Sequence, residues 1–121
     1  MSKTILIADD SSSILIMVQQ TLTQAGYQVL QAKDGQEALE RFKASPTQMV
    51  ITDLNMPRMS GIELIKELRA HPQGKFIPLV LLTTESDETK KQQGRAAGAT
   101  AWIHKPFNPT DLLGVVKKVL G

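Results

Sequence analysis

A chain of 121 residues, 41% apolar, has the size of one compact domain over residues 1–121 and should bury roughly 65–70% of the surface its unfolded form exposes. Its longest apolar run, Ile14 to Val18, is far short of the roughly 20 residues of a membrane span, no signal-peptide pattern opens it, and the absence of cysteine excludes a disulfide framework or a thiolate metal site, so a soluble cytoplasmic protein without a membrane partner is expected. Residues 1–83 carry eight acidic and eight basic side chains and residues 84–121 four and six, so the net charge of +2 lies in the last third; no helix-turn-helix signature or zinc-finger spacing accompanies it, and nucleic acid is not expected as a partner.

In chain order, Thr4 to Ala8 is a short apolar run that ends on Asp9-Asp10 and reads as a buried strand. The next segment places Ile14, Met17, Val18, Thr21, Leu22 and Ala25 on one helical face, which leaves Ile16 roughly opposite and Leu15 on the flank, both expected to be exposed. A strand over Gln28 to Ala32 follows, then a helix over Gln36 to Lys43 capped by Asp34. The third strand, Gln48 to Thr52, ends on Asp53, and Gly61 opens a helix over Ile62 to Ala70. The fourth strand, Ile77 to Leu82, runs into Thr83. Its helix, about Asp87 to Ala97, offers almost no large apolar side chain and contains Gly94, which is unfavourable by about 1 kcal/mol relative to alanine, so this helix should be weakly held. The fifth strand, Ala101 to His104, ends on Lys105, and Asn108-Pro109 starts a last helix over Thr110 to Leu120.

Strands alternating with helices in this way imply right-handed crossovers and an α/β doubly wound parallel sheet covered on both faces. Asp9, Asp10, Asp53, Thr83 and Lys105 then meet at the carboxyl edge of the sheet, where open α/β folds bind ligands. Clustered acids call for a hard divalent cation, and Mg²⁺ prefers oxygen ligands at sites that also carry phosphate. The expected cargo is therefore a phosphoryl group held by the lysine and the hydroxyl. Taken singly, Asp9 or Asp10 is equally well explained as a cap of the first helix, Thr83 as a cap of the fourth, and Lys105 as a solvated side chain. Only their joint position favours a site. His71 and His104 have no partner at metal-ligand spacing and read as structural or surface residues.

Together, Asp9-Asp10, Asp53-Leu54-Asn55-Met56-Pro57, Gly61, Thr83, Ala97-Gly98-Ala99 and Lys105-Pro106-Phe107 resemble the receiver domain of two-component response regulators over essentially the whole chain. Without a second domain, the chain is similar to the stand-alone, CheY-like chemotaxis regulators of that family. The resemblance implies a flavodoxin-like, five-stranded sheet in the order 2-1-3-4-5 flanked by five helices. It implies that Asp53 is the phosphoacceptor, which attacks a phosphohistidine on a kinase or a small phosphodonor to form an aspartyl phosphate. Asp10 would bind Mg²⁺ directly, Asp9 through water and Asn55 through its backbone carbonyl, with Asp53 also a ligand, while Thr83 and Lys105 hold phosphoryl oxygens.

Thr83 and the aromatic at Trp102 would form the switch, although the family usually has tyrosine or phenylalanine there and an indole is larger. Leu15 and Ile16 would contribute to the docking surface for the phosphodonor. The implied protein is a monomer and not an enzyme beyond promoting its own phosphorylation and dephosphorylation. Its implied partners are a histidine kinase or phosphotransfer protein and a downstream target such as the flagellar motor switch. Two other readings stay open: a haloacid-dehalogenase-like phosphohydrolase, which usually has a second aspartate where this chain has Asn55, and a receiver that serves as a phosphate sink or binds without being phosphorylated.

Overall fold

The computed structural model describes residues 3–84 and 88–120. Among these, β1 (Thr4–Ala8), α1 (Ser12–Gln24), β2 (Gln28–Ala32), α2 (Gly35–Ala44), β3 (Met49–Asp53), α3 (Gly61–Ala70), β4 (Leu79–Thr83), α4 (Glu88–Ala97), β5 (Ala101–His104) and α5 (Pro109–Leu120) follow in order, with a 3₁₀ turn at Pro72–Gly74. The strands form one parallel sheet in the order β2-β1-β3-β4-β5. This is the order implied by the family resemblance. No helix among the described residues is long and apolar enough to cross a membrane.

Alternation along the strands divides the core between the two faces of the sheet. Leu6, Val50, Leu79 and Leu81 pack with Leu39 and Phe42 of α2 and Leu64, Ile65 and Leu68 of α3. Ile5, Ile7, Met49, Ile51, Val80 and Leu82 pack with Leu15, Val18 and Leu22 of α1 and Leu112 and Val116 of α5. With apolar side chains pointing both ways, the central strands are buried on both faces, as continuous hydrophobic runs require.

Leu15 corrects the expectation of exposure: it is 4% exposed, whereas Ile16 is 56% exposed as its position predicts. α1 packs in a core cluster with both the sheet and α5, and its buried face is turned to include Leu15, with Ile14 and Met17 only half-buried. Strand ends also shift, and β3 begins at Met49 rather than at the expected Gln48. β4 begins at Leu79, after Pro78, which has no N–H to give to a ladder. β3 and β4 each run one residue further than their apolar residues, so Asp53 and Thr83 are strand residues, and Asp53 pairs with Leu82.

Helix ends are set by side chains. Ser11, and neither aspartate before it, caps α1 by accepting from the Ile14 N–H. Asp34 caps α2 through the Glu37 amide at 2.8 Å, and Asn108 accepts from the Asp111 amide at 2.8 Å. Ser60 and Glu63 form a capping box at α3, which the Ser-x-x-Glu spacing signals. α4 begins at Glu88; the expected start at Asp87 lies outside the described residues. Among its residues only Gly94 and Ala97 are buried, as a weakly held helix requires. Gly94 has a packing role: a Cβ there would lie 2.6 Å from Leu81 Cδ1, so hydrogen at this position lets α4 reach β4. His71 is structural, with its Nδ1 accepting from the Gln73 N–H at 3.2 Å and its ring edge-on to Phe42 at 5.6 Å.

Candidate functional site

β1, β3, β4 and β5 all deliver polar residues to the same edge. The backbone that follows β1 places Asp9, 0% exposed, beneath the exposed Asp10. At the end of β3, Asp53 brings its carboxylate to the same point, and ligand oxygens of Asp9, Asp10 and Asp53 lie within 4.8 Å of one another. Lys105, just beyond β5, reaches across β4 to this cluster: its Nζ lies 2.9 Å from Asp9 Oδ2 and 3.3 Å from Asp53 Oδ1. Backbone donors fix both anchoring carboxylates. Asp9 Oδ1 accepts from the Ser11 amide at 2.9 Å, and Asp53 Oδ1 accepts from the Leu54 amide at 2.9 Å.

Formal charge decides what the cluster lacks. Among the described residues, three carboxylates face the Lys105 ammonium, which leaves an excess of two negative charges. Burial, followed by the charge of Asp9, pushes the Asp53 carboxyl above its ordinary pKa, and Lys105 offsets this only in part. Burial works against the Lys105 ammonium, but its hydrogen bonds and attraction to Asp9 and Asp53 outweigh that and hold its pKa above the lysine value. The donor set consists of hard oxygens alone. Asp10 is open to solvent, and the contacts of Asp53 among the described residues fall on Oδ1. A small hard dication fits this arrangement, because it takes one or two carboxylates and completes its shell with water and phosphate oxygens.

The other predicted residues lie around this centre. Thr83 ends β4, is 4% exposed, and its carbonyl accepts the Lys105 N–H at 2.8 Å. Asn55 is exposed in the loop between β3 and α3. Gly61 holds the far end of that loop: its N–H donates to Leu54 O at 2.8 Å, and a Cβ there would lie 2.2 Å from Asp53 O. His104 pairs with Thr83 in the ladder but is exposed and stands apart from the acidic cluster.

Trp102 pairs with Leu81 and packs, half-buried, on the same face of the sheet as α3. The Arg95 guanidinium lies 5.4 Å from its ring centroid. The space lined by Trp102, Thr83, Leu81, Leu54, Lys90 and Lys91 is too small for a water molecule. An inward indole would therefore need the residues lining this space to move. A contact that sequence reasoning missed is the ion pair between Arg58 and Asp34, at 3.0 Å. Asp34 is legible as a cap, but no local signal links it to a residue in the loop after Asp53.

The response regulator receiver domain family matches residues 5–117. The chemotaxis protein CheY1 of Helicobacter pylori is 40% identical over 119 residues, which cover 97% of this chain and 96% of that protein. The alkaline phosphatase synthesis transcriptional regulatory protein PhoP of Bacillus subtilis is 36% identical over 120 residues, covering 99% of this chain but 49% of PhoP, so the chain spans about half the length of that relative. Among solved structures, the chemotaxis response regulator CheY4 of Vibrio cholerae is similar at a TM-score of 0.95 and 46% identity, covering 98% of this chain and 99% of that one.

Proposed function

The chain belongs to the response regulator receiver domain family, and from that premise we propose that it is a signalling switch driven by phosphorylation of Asp53. The observation that carries this reading is the Asp9, Asp10 and Asp53 cluster bridged by Lys105 at the carboxyl edge of the sheet. The Asp53 carboxylate attacks phosphorus; an O–P bond forms, and the P–N bond of a phosphohistidine, or the P–O bond of a small acyl phosphate, breaks. The departing imidazole or carboxylate keeps the bonding electron pair. The Leu54 amide and Lys105, both on Oδ1, fix the orientation of the carboxylate. Lys105 and Thr83 then balance charge on the phosphoryl oxygens, which is most of what phosphoryl transfer asks of a protein.

Mg²⁺ supplies the remaining positive charge when bound. Asp10 and Asp53 would hold it directly, Asp9 through water and Asn55 through its backbone carbonyl. Asp10→Ala removes a direct anionic ligand, so Mg²⁺ affinity should fall by more than the roughly 10–100-fold typical for loss of an outer-shell partner. An unchanged Mg²⁺ titration would contradict this role. Asn55 stands where a phosphohydrolase of the haloacid-dehalogenase type would need an acid, which favours a switch over turnover of external substrates.

The phosphodonor is a histidine kinase or phosphotransfer protein that docks beside the exposed Ile16 of α1. The similarity to the chemotaxis proteins CheY1 and CheY4 supports chemotaxis as the pathway, and in this reading the regulator is cytoplasmic and monomeric and acts on a flagellar motor component. Movement of Thr83 toward the phosphoryl group opens space beneath Trp102, the chain's one tryptophan. Beryllofluoride with Mg²⁺ should therefore shift the indole emission and reduce its access to quencher, and Thr83→Ala should abolish that response. If partner binding changes while emission and quenching stay constant, switching does not run through the aromatic.

A further inference from the structure

We propose that Asp34 and Arg58 form a positioning pair that holds the loop between β3 and α3, and with it the Asn55 carbonyl, in place for Mg²⁺; the inference rests on the receiver reading above. The ends of this loop, residues 54–60, are anchored at the site, by the Leu54 amide on Asp53 Oδ1 and by the Gly61 amide on Leu54 O. Its middle rests on α2. Arg58 donates from Nε to Asp34 Oδ2 and from Nη2 to Asp34 Oδ1, both at 3.1 Å. Asp34 Oδ1 also accepts the Glu37 amide as the cap of α2, so a single carboxylate ties the loop to the helix start. One residue further along both segments, Met59 O lies 2.5 Å from where a Cβ on Gly35 would stand. The loop therefore follows the first residues of α2 at backbone contact distance.

Arg58 has φ of 68°, a left-handed conformation that non-glycine residues keep only where the surroundings impose it. The bidentate pair is such an imposition, since a guanidinium fork on a carboxylate fixes direction as well as distance. The Glu37 amide, and then Arg58, hold the Asp34 carboxyl below its ordinary pKa, so the partner stays charged. The Arg58 side chain is 60% exposed. Ion pairs this open to solvent add little to stability. The consequence of the contact is thus the orientation of the loop that carries Asn55, and its signature is a change in metal affinity without a matching change in melting temperature.

Asp34→Asn and Arg58→Gln separate that role from capping, because asparagine keeps an oxygen for the Glu37 amide and is itself a good cap. The experiment is a Mg²⁺ titration, with thermal unfolding alongside, on the parent, both single variants and the double variant. Each single variant should bind Mg²⁺ about tenfold more weakly, the loss typical of an outer-shell partner, with Tm nearly unchanged. The double variant should be no weaker than either single one, as expected for residues that act as a unit. Parent-like Mg²⁺ affinity in both single variants, or additive losses in the double, would overturn the pairing while leaving the receiver reading intact. A parent that binds no Mg²⁺ would overturn both.

Discussion

Asp53→Asn should abolish stable Mg²⁺-dependent phosphorylation and, in the absence of metal, make the protein more stable. The first effect follows because an amide is not a competent nucleophile toward phosphorus. The second follows from the sign of the pKa shift. Folding raises the Asp53 pKa, so the folded state holds that proton more tightly than the unfolded chain. The stabilisation from that proton is fully present below the unfolded value of about 3.9 and is lost as pH rises through the higher folded value. At neutral pH the ionised carboxylate therefore opposes folding, and its neutral isostere removes the opposition. Lys105 keeps its partner Asp9 at 2.9 Å, so the exchange leaves no orphaned cation. Because the Asp53 carboxyl retains some solvent contact, which screens the effect, the gain at pH 7 should be small but positive. Undiminished labelling of the variant at another residue would refute the first effect, and a lower melting temperature without metal would refute the second.

Gly61→Ala should produce the opposite change in stability. A Cβ at Gly61 would lie 2.2 Å from Asp53 O and 3.1 Å from Leu54 Cα. Both are backbone atoms, which cannot rotate out of the way. Overpacking typically costs about 1–3 kcal/mol, and a contact this short belongs at the upper end; the better helix propensity of alanine returns at most about 1 kcal/mol. A net loss of about 2 kcal/mol should lower Tm by roughly 5–10 °C, and the displaced Asp53 backbone should slow phosphorylation as well. Gly114→Ala is the matched control. It sits inside α5 with nothing within 4 Å of where its Cβ would stand, so the same substitution there should be neutral or stabilising by up to about 1 kcal/mol. Equal melting temperatures for the two variants would show that the close approach at Gly61 does not matter.

Much of the fold is legible in the chain because four of the five strands, all but β2, are short apolar runs closed by a polar residue, and those residues lie at one edge once the strands are parallel. The same regularity makes Asp9, Asp10, Asp53, Thr83 and Lys105 readable as a group. What escapes local reading depends on tertiary contact. Leu15 is buried in a core cluster that joins α1 to the sheet and to α5, which lies almost a whole chain length away in sequence. Gly94 looks unfavourable by helix propensity and makes sense only against Leu81 of β4. Arg58 and Asp34 are 24 residues apart, and the motif that contains Asp53 says nothing of the pair. Pro78, by contrast, is a local signal strong enough to have marked the start of β4, because it lacks the donor a ladder needs.

The central claim is that the carboxylate at the end of β3 accepts a phosphoryl group. Its most direct test is to incubate the protein with acetyl phosphate and Mg²⁺, trap the acyl phosphate by borohydride reduction, and locate the reduced residue by peptide mass spectrometry. Reduction should appear at Asp53 alone and should disappear when EDTA removes the metal. Trapping at Asp9 or Asp10, or labelling that proceeds equally well in EDTA, would contradict it.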